Sequence, residues 1–380
     1  MNIAIGNLMT LDFMQAIKPG LIDLPPYQPG MRPTFLIEKY GVKDAIKLSS
    51  NENPIGPCEE AQQALLQTRD CLASYPDSTG RKLKEGIAEK FGITEDCITL
   101  GNGSDSLFPL LAELVVEPGD TVLAPAYSFA TYGLVAKTLE ANYVTSETTH
   151  WACDVDKLLQ CINPKTKIIF LANPNNPTGT WLTQSQLLQL MQRLPPSLLL
   201  VVDEAYFEYM KDIKNYPDCV ALQKEFPNLI ITRTFSKAYG LAGLRIGYCL
   251  SHPAIANVLN NIRRPFNTNT IAQLAATYAL QDNKHLERTL ILNNQGRNQL
   301  QTALNKLQLT YLPSSSNFIT VDFKKPAMEV FLNLLEEGII VRPLENYKMP
   351  NHLRITIGTF DQNQRLVLAL QKILANADKQ

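Results

Sequence analysis

The sequence predicts an α/β protein with a large domain built on a mostly parallel sheet flanked by helices, and a smaller, discontinuous α+β domain. Three observations carry this expectation. Between about residues 59 and 250, short and almost wholly apolar runs alternate with helix-like stretches. The last third changes character, with long helical patterns leading into "NFITVDF", "IIVRP" and "HLRITIG". The stretch "KPGLIDLPPYQPGMRP" near the start is too rich in proline for a helix and reads as an extended arm.

Taken in order, "EEAQQALLQTRD" and "RKLKEGIAEKFG" read as helices, and "DSLFPLLAELVV" and "SQLLQLMQRL" repeat the helical period. The runs "CITL", "TVLAPA", "KIIFLAN", "LLLVVDEAY" and "NLIITRTF" have no polar face. Strands of that kind are buried on both sides, which is the environment of a parallel sheet covered by helices. The stretches "NTIAQLAATYALQ" and "HLERTLILNNQGRNQLQTALNKL" then open the C-terminal part. The expected division is 1–50 for the arm and part of the small domain, 51–262 for the large domain and 263–380 for the rest of the small domain, with the arm packed on the C-terminal part.

Composition narrows the function. A chain of 380 residues with 45% hydrophobic content can bury a substantial core. A net charge of −1 and scattered basic residues give no general attraction to nucleic acid or anionic membrane. The first residues lack a basic lead and carry Asp12, which argues against a signal peptide, and no apolar run approaches a membrane span. Seven cysteines without a CxxC pair are expected as free, buried thiols of a reducing cytoplasm, with no metal site.

The chemistry-bearing residues fall at strand ends, where open parallel sheets bind ligands. In "ITLGNGSDSLF" the chain leaves a strand through Gly101 and Gly103 and enters a helix near Asp105. Gly103, Ser104 and Asp105 thus form a candidate anion cup, although a plain glycine turn capped by Ser104 or Asp105 has the same pattern. Asn176 in "FLANPNNPTG" marks a second strand end or simply a turn. Asp203 ends the apolar run "LLLVV" and needs a partner there, in a site or in a salt bridge. Lys237, in "RTFSKAYGLAGLRIGY", is a lysine at a buried strand end, where desolvation turns an ammonium toward a nucleophilic amine. Nearby Arg245 helps suppress the ammonium and offers a fork suited to phosphate. A phosphate cup, a carboxylate, an amine and an arginine match one ligand with a phosphate, a pyridine nitrogen and an aldehyde, pyridoxal 5'-phosphate. The glycines after Lys237 are expected to let the backbone approach it.

The motifs "NPNNPTG", "VVDEAY" and "TFSKAYGLAGLRIGY", in this order, resemble the fold-type I pyridoxal-phosphate aminotransferases. The resemblance implies that Lys237 carries the cofactor and moves the substrate's α-proton, and that Asp203 pairs with the pyridinium nitrogen. It further implies that Asn176 and Tyr206 bond the phenolic oxygen, Tyr127 stacks on the ring, and Ser236, Arg245 and the backbone at Gly103–Ser104 hold the phosphate. Lys237, Asp203 and Tyr206 would be the catalytic set. "LPPYQPG", "KLSSNENPIGP" and "YPDSTG", with "VRP" and "LRITIG", resemble the histidinol-phosphate aminotransferase subgroup. That likeness implies a homodimer in which Tyr75 reaches the neighbouring subunit's cofactor phosphate, with Tyr27, Asn176, Arg342 and Arg354 handling the substrate. Ser104 and Ser106 stand where some relatives have alanine and glutamate, a small departure for a cup made of backbone N–H groups. The implied reaction moves an amino group between L-histidinol phosphate and 2-oxoglutarate in histidine biosynthesis. An aromatic amino acid aminotransferase is the alternative, since Arg354 suits a carboxylate as well as a phosphate. A phospho-amino-acid decarboxylase would share the scaffold. A cofactor-sensing module of a transcription factor is disfavoured, because the proline-rich residues 1–50 hold no basic helix-turn-helix.

Overall fold

The computed structural model describes residues 15–22, 24, 30–42 and 44–377. Seven strands form the main sheet: β1 (Ile98–Gly101), β2 (Thr121–Pro125), β3 (Asn142–Ser146), β4 (Thr166–Ala172), β5 (Leu199–Asp203), β6 (Leu229–Thr234) and β7 (Gly247–Leu250). Their order is β1-β7-β6-β5-β4-β2-β3. The pairs among β3, β2, β4, β5 and β6 are parallel, and β7 runs antiparallel to both β6 and β1. The unbroken apolar runs are explained by the two faces of this sheet. Along β5, Leu200 and Val202 enter one core with Leu171, Leu187 and Ile231, while Leu199 and Val201 enter the other with Phe108, Phe170 and Ile230. Each such side chain contributes roughly 1.5–3 kcal/mol on burial.

The second sheet is antiparallel, in the order β8 (Thr310–Tyr311), β9 (Phe318–Asp322), β11 (His352–Thr356), β10 (Arg342–Pro343). Residues 36–48 pack on this part of the chain, whereas Lys18, expected to follow the arm there, instead pairs with Glu140 at 3.0 Å and donates to the Thr138 carbonyl on the main-sheet part. Ile46–Lys47 pairs in parallel with Ile339–Ile340, Leu48 enters the second core, and Leu36 clusters with Leu335 and Ile340. A 24-residue helix, Asn283–Lys306, connects the halves, touching the first core through Leu286 and the second through Leu300 and Leu304.

Two features differ from the sequence reading. Pro19–Ile22 is one helical turn inside the supposedly extended arm, because a proline at the first helical position gives up no needed N–H. The helix Thr270–Gln281, grouped by sequence with the C-terminal part, lays Ala272, Ala275, Ala276 and Ala279 into the main-sheet core. There Ala61 and Ala64 of the helix Glu59–Gln67 join it, small residues that let helices approach closely. All seven cysteines are free; Cys58, Cys219 and Cys249 are buried, whereas Cys71 is exposed. Among the described residues no helix is long and apolar enough to cross a membrane.

The loop after Lys237 is fixed by Gly240, at φ 72°. A Cβ there would lie 2.4 Å from the backbone of Gly56, so this glycine serves chain-to-chain contact beside the site. Gly240→Ala should therefore cost about 2 kcal/mol or more, read as a lower urea midpoint of the cofactor-free protein. An unchanged midpoint would show that the Gly56 segment yields freely.

Candidate active site

The carboxyl ends of β1, β4, β5 and β6 open onto one cleft of about 570 Å³. It is lined by Ser104, Asp105, Asn176, Asp203, Tyr206, Ser236, Lys237 and Arg245, together with Phe129 and Ala205. Arg245 reaches it because β7 is antiparallel and so begins where its neighbours end.

One end is built for an anion. Gly103 has φ 77°, and a Cβ on it would lie 2.3 Å from Arg245 Nη2; a Cβ on Gly247 would lie 2.7 Å from the Ser104 nitrogen. Two absent side chains thus set the guanidinium and the backbone of the Ser104–Ser106 turn together. Arg245 donates to Ser236 Oγ at 3.2 Å and to the Ala242 carbonyl at 3.1 Å. Its pair with Asp105, at 3.3 Å, is half-exposed and correspondingly weak.

The other end holds Asp203, which the alternation along β5 turns toward the Phe108–Phe170 side. Its Oδ2 accepts from the Tyr132 hydroxyl at 2.8 Å, and Oδ1 from the Ala205 N–H at 3.2 Å and Thr232 Oγ1 at 3.3 Å. Burial pushes its pKa up to about 6, with the Tyr132 hydrogen bond opposing the rise. Between them Lys237 Nζ donates to the Ser50 carbonyl at 3.2 Å and lies 5.7 Å from the centre of the Tyr206 ring. Burial, and secondarily Arg354, lower its pKa to about 8. Tyr206 accepts at its hydroxyl from Asn51 Nδ2 at 2.8 Å, and burial raises it to about 12, so it keeps its proton.

The antiparallel sheet supplies Arg354, which donates through Nη1 to Asn176 Oδ1 and through Nη2 to the Ser49 carbonyl at 2.6 Å. Arg342 is its direct partner across β10 and β11. Tyr127 sits at φ 58° after β2 with its ring edge-to-face on Trp151, 4.9 Å away, and the aromatic residues lining the cleft are Phe129 and Tyr206. Tyr75 lies apart, 81% exposed and stacked on Phe266 at 4.6 Å. Tyr27 lies outside the described residues.

Sequence reasoning missed Asn51, Tyr132 and Thr232. Asn51 stands at φ 55°, a conformation asparagine tolerates, but nothing in "SSNENP" tells its side chain from a turn former. It also missed the buried pair on the opposite face, where Arg233 donates twice to Glu204 Oε2, at 2.9 and 2.7 Å, and lies over the Phe207 ring at 3.5 Å. "DEAY" and "TRTF" each carried that signal as a charge inside an apolar run.

The residues fit pyridoxal 5'-phosphate: a donor-lined end for phosphate, a carboxylate for the ring nitrogen, and an amine of lowered pKa between them. The electrostatics yield a prediction. Asp203 in the folded chain holds a proton that the unfolded chain releases between the ordinary value of 3.8 and about 6. Cofactor-free protein therefore loses stability as pH rises through that window, by up to about 3 kcal/mol. Asp203→Asn should be the more stable cofactor-free protein near about pH 7.5, with the gap closing toward about pH 4. Urea midpoints across this range check it, and a gap independent of pH would contradict it.

Residues 43–370 match the family model "Aminotransferase class I and II". The chain is 43% identical over 362 residues to histidinol-phosphate aminotransferase 1 of Nitrosococcus oceani, covering 95% of this chain and 98% of that protein. It is 43% identical to histidinol-phosphate aminotransferase 1 of Mannheimia succiniciproducens, covering 96% and 99%. The crystal structure of histidinol-phosphate aminotransferase from Sinorhizobium meliloti in complex with pyridoxal-5'-phosphate superposes with a TM-score of 0.86 at 30% identity, covering 95% of this chain and 98% of that one. This chain belongs to the class I and II aminotransferases.

Proposed function

We propose that the chain is a histidinol-phosphate aminotransferase, moving the amino group of L-histidinol phosphate to 2-oxoglutarate in histidine biosynthesis in the cytoplasm. Residues 51–262, joined by the helix Thr270–Gln281, form the cofactor-binding unit, and the remainder of 1–50 and 263–380 the smaller unit. The observation that carries the substrate is the pairing of Arg342 with Arg354. Directly opposed residues in an antiparallel pair share a face, so the two arginines leave the sheet on the same side, and Arg354 already reaches Asn176 at the cleft. Two forks suit a phosphate dianion better than a carboxylate. The names of the near full-length relatives support the same substrate.

Pyridoxal phosphate, when bound, supplies an electron-withdrawing ring that stabilises negative charge on the substrate's α-carbon. Lys237 would hold it through Nζ and, once the substrate's amine has displaced that nitrogen, would offer a free amine, lowered to about 8 in the cofactor-free cleft, able to take the α-proton. Asp203 holds a proton at the ring nitrogen. Tyr206, whose oxygen already accepts from Asn51, keeps its own proton for an acceptor in the cleft. Asn176 accepts Arg354 at Oδ1, leaving its amide N–H as the donor toward the cofactor's phenolic oxygen. Tyr127 would stack on the ring, and Tyr27, outside the described residues, would add a donor to the substrate phosphate. Ser236, Arg245 and the backbone at Gly103–Asp105 bind the cofactor's phosphate.

The working unit is a homodimer. Tyr75 and Phe266 are exposed, as are Leu65, Leu66, Leu72 and Ile262, an apolar set suited to a second copy that receives Tyr75 at its cofactor phosphate.

The decisive assay compares L-histidinol phosphate with phenylalanine and tyrosine, using 2-oxoglutarate as acceptor. Histidinol phosphate should be preferred, and Arg342→Ala should lower its kcat/KM by roughly tenfold or more while changing phenylalanine about twofold at most. Equal losses, or a preference for phenylalanine in the unaltered enzyme, would reassign the chain to aromatic amino acids. Mixing Lys237→Ala with Tyr75→Phe subunits should restore one intact site per mixed dimer; the absence of any recovered activity would refute a shared site.

A further inference from the structure

Tyr132 lies in the helix Thr131–Thr138 and is fully buried. Its ring is stacked on Phe170 at 4.9 Å and 10°, and met edge-on by Phe108 at 5.1 Å and Phe129 at 5.9 Å. A ring held on three sides cannot swing, so its hydroxyl is fixed in space. That hydroxyl makes the shortest hydrogen bond received by Asp203, at 2.8 Å to Oδ2. The remaining donors, the Ala205 N–H and Thr232 Oγ1, both serve Oδ1 at longer range. A carboxylate offers about four acceptor positions. With three occupied from the protein side, its plane is set and the remaining capacity is left for the cleft that Asp203 lines.

We propose that Tyr132 is a positioning residue for the cofactor: its hydroxyl orients Asp203 and holds it as an anion, ready for the protonated ring nitrogen. This rests on the reading of Asp203 as that nitrogen's partner. Donation to the charged form of a buried acid favours that form, and here it opposes the rise that burial imposes. Tyr132 touches neither substrate nor cofactor in this role; it acts through Asp203.

The test measures dissociation constants by reconstituting cofactor-free enzyme with pyridoxal phosphate and with its 1-deaza analogue, in which the ring nitrogen is C–H. Unaltered enzyme should bind pyridoxal phosphate more tightly than the analogue. Tyr132→Phe should weaken pyridoxal phosphate by roughly tenfold and the analogue about twofold at most. General loosening of the fold affects both ligands and cancels in their ratio. Tyr132→Met deletes the same hydroxyl with a flexible filler and should give the same ratio if the phenylalanine variant folds poorly. In an Asp203→Asn background the Tyr132→Phe effect on the ratio should vanish. An unchanged ratio in both Tyr132 variants overturns the role of Tyr132 alone. An unaltered enzyme indifferent to the ring nitrogen overturns the assignment of Asp203 beneath it.

Discussion

A carboxylate and an amine share one dry cleft, and the rest of the site is arranged around that electrostatic conflict. Burial pushes both toward their uncharged forms, Asp203 up to about 6 and Lys237 down to about 8. The protein resists more strongly at the acid; at the amine the charges of Asp105 and Glu52 oppose burial only in part. Asp203 receives three hydrogen bonds, whereas Lys237 has a carbonyl from Ser50 and a repelling arginine nearby. The carboxylate is thereby kept ready for a cation and the amine is kept nucleophilic. A ligand that brings a protonated ring nitrogen to one and an aldehyde to the other relieves both strains at once.

The two sheets are fastened at this cleft by residues 49–53. The Ser49 carbonyl accepts Arg354, and the Ser50 carbonyl accepts Lys237. Asn51 donates to Tyr206 and Thr356 and accepts Asn317. Asn53 donates to the Ala238 carbonyl and Thr289. A short polar segment near the start of the chain thus bonds Lys237, Tyr206 and Arg354. Shape at the reacting centre and alignment of the two parts are set by the same hydrogen bonds.

The strands, their parallel arrangement and most of the cleft were legible in the sequence for a simple reason. A parallel sheet buried on both faces leaves polar side chains only at its strand ends, so Asp203, Asn176, Ser236 and Lys237 stood out against apolar runs. Asn51 did not, because its neighbours are polar and its partners lie more than a hundred residues away. Tyr132 did not, because a tyrosine in an amphipathic helix looks like any core aromatic until its hydroxyl is seen to end on Asp203. Gly240 was expected to make room for a ligand, but its neighbour is Gly56. The position of the helix Thr270–Gln281 depended on alanine faces meeting across the fold, which a local pattern does not reveal.

Adjacent residues at the end of β5 carry acids to opposite sides of the sheet: Asp203 into the cleft and Glu204 against Arg233 beneath it. Thr232 and Arg233 divide in the same way on the neighbouring strand. Sliding β5 by one residue would exchange the two acids, setting Glu204 among phenyl rings and Asp203 against a guanidinium it is a methylene too short to meet. The paired charges therefore act as a vernier for the sheet. They allow one alignment of β5 with β6, and the strand end that carries the chemistry is read off from the face that carries none.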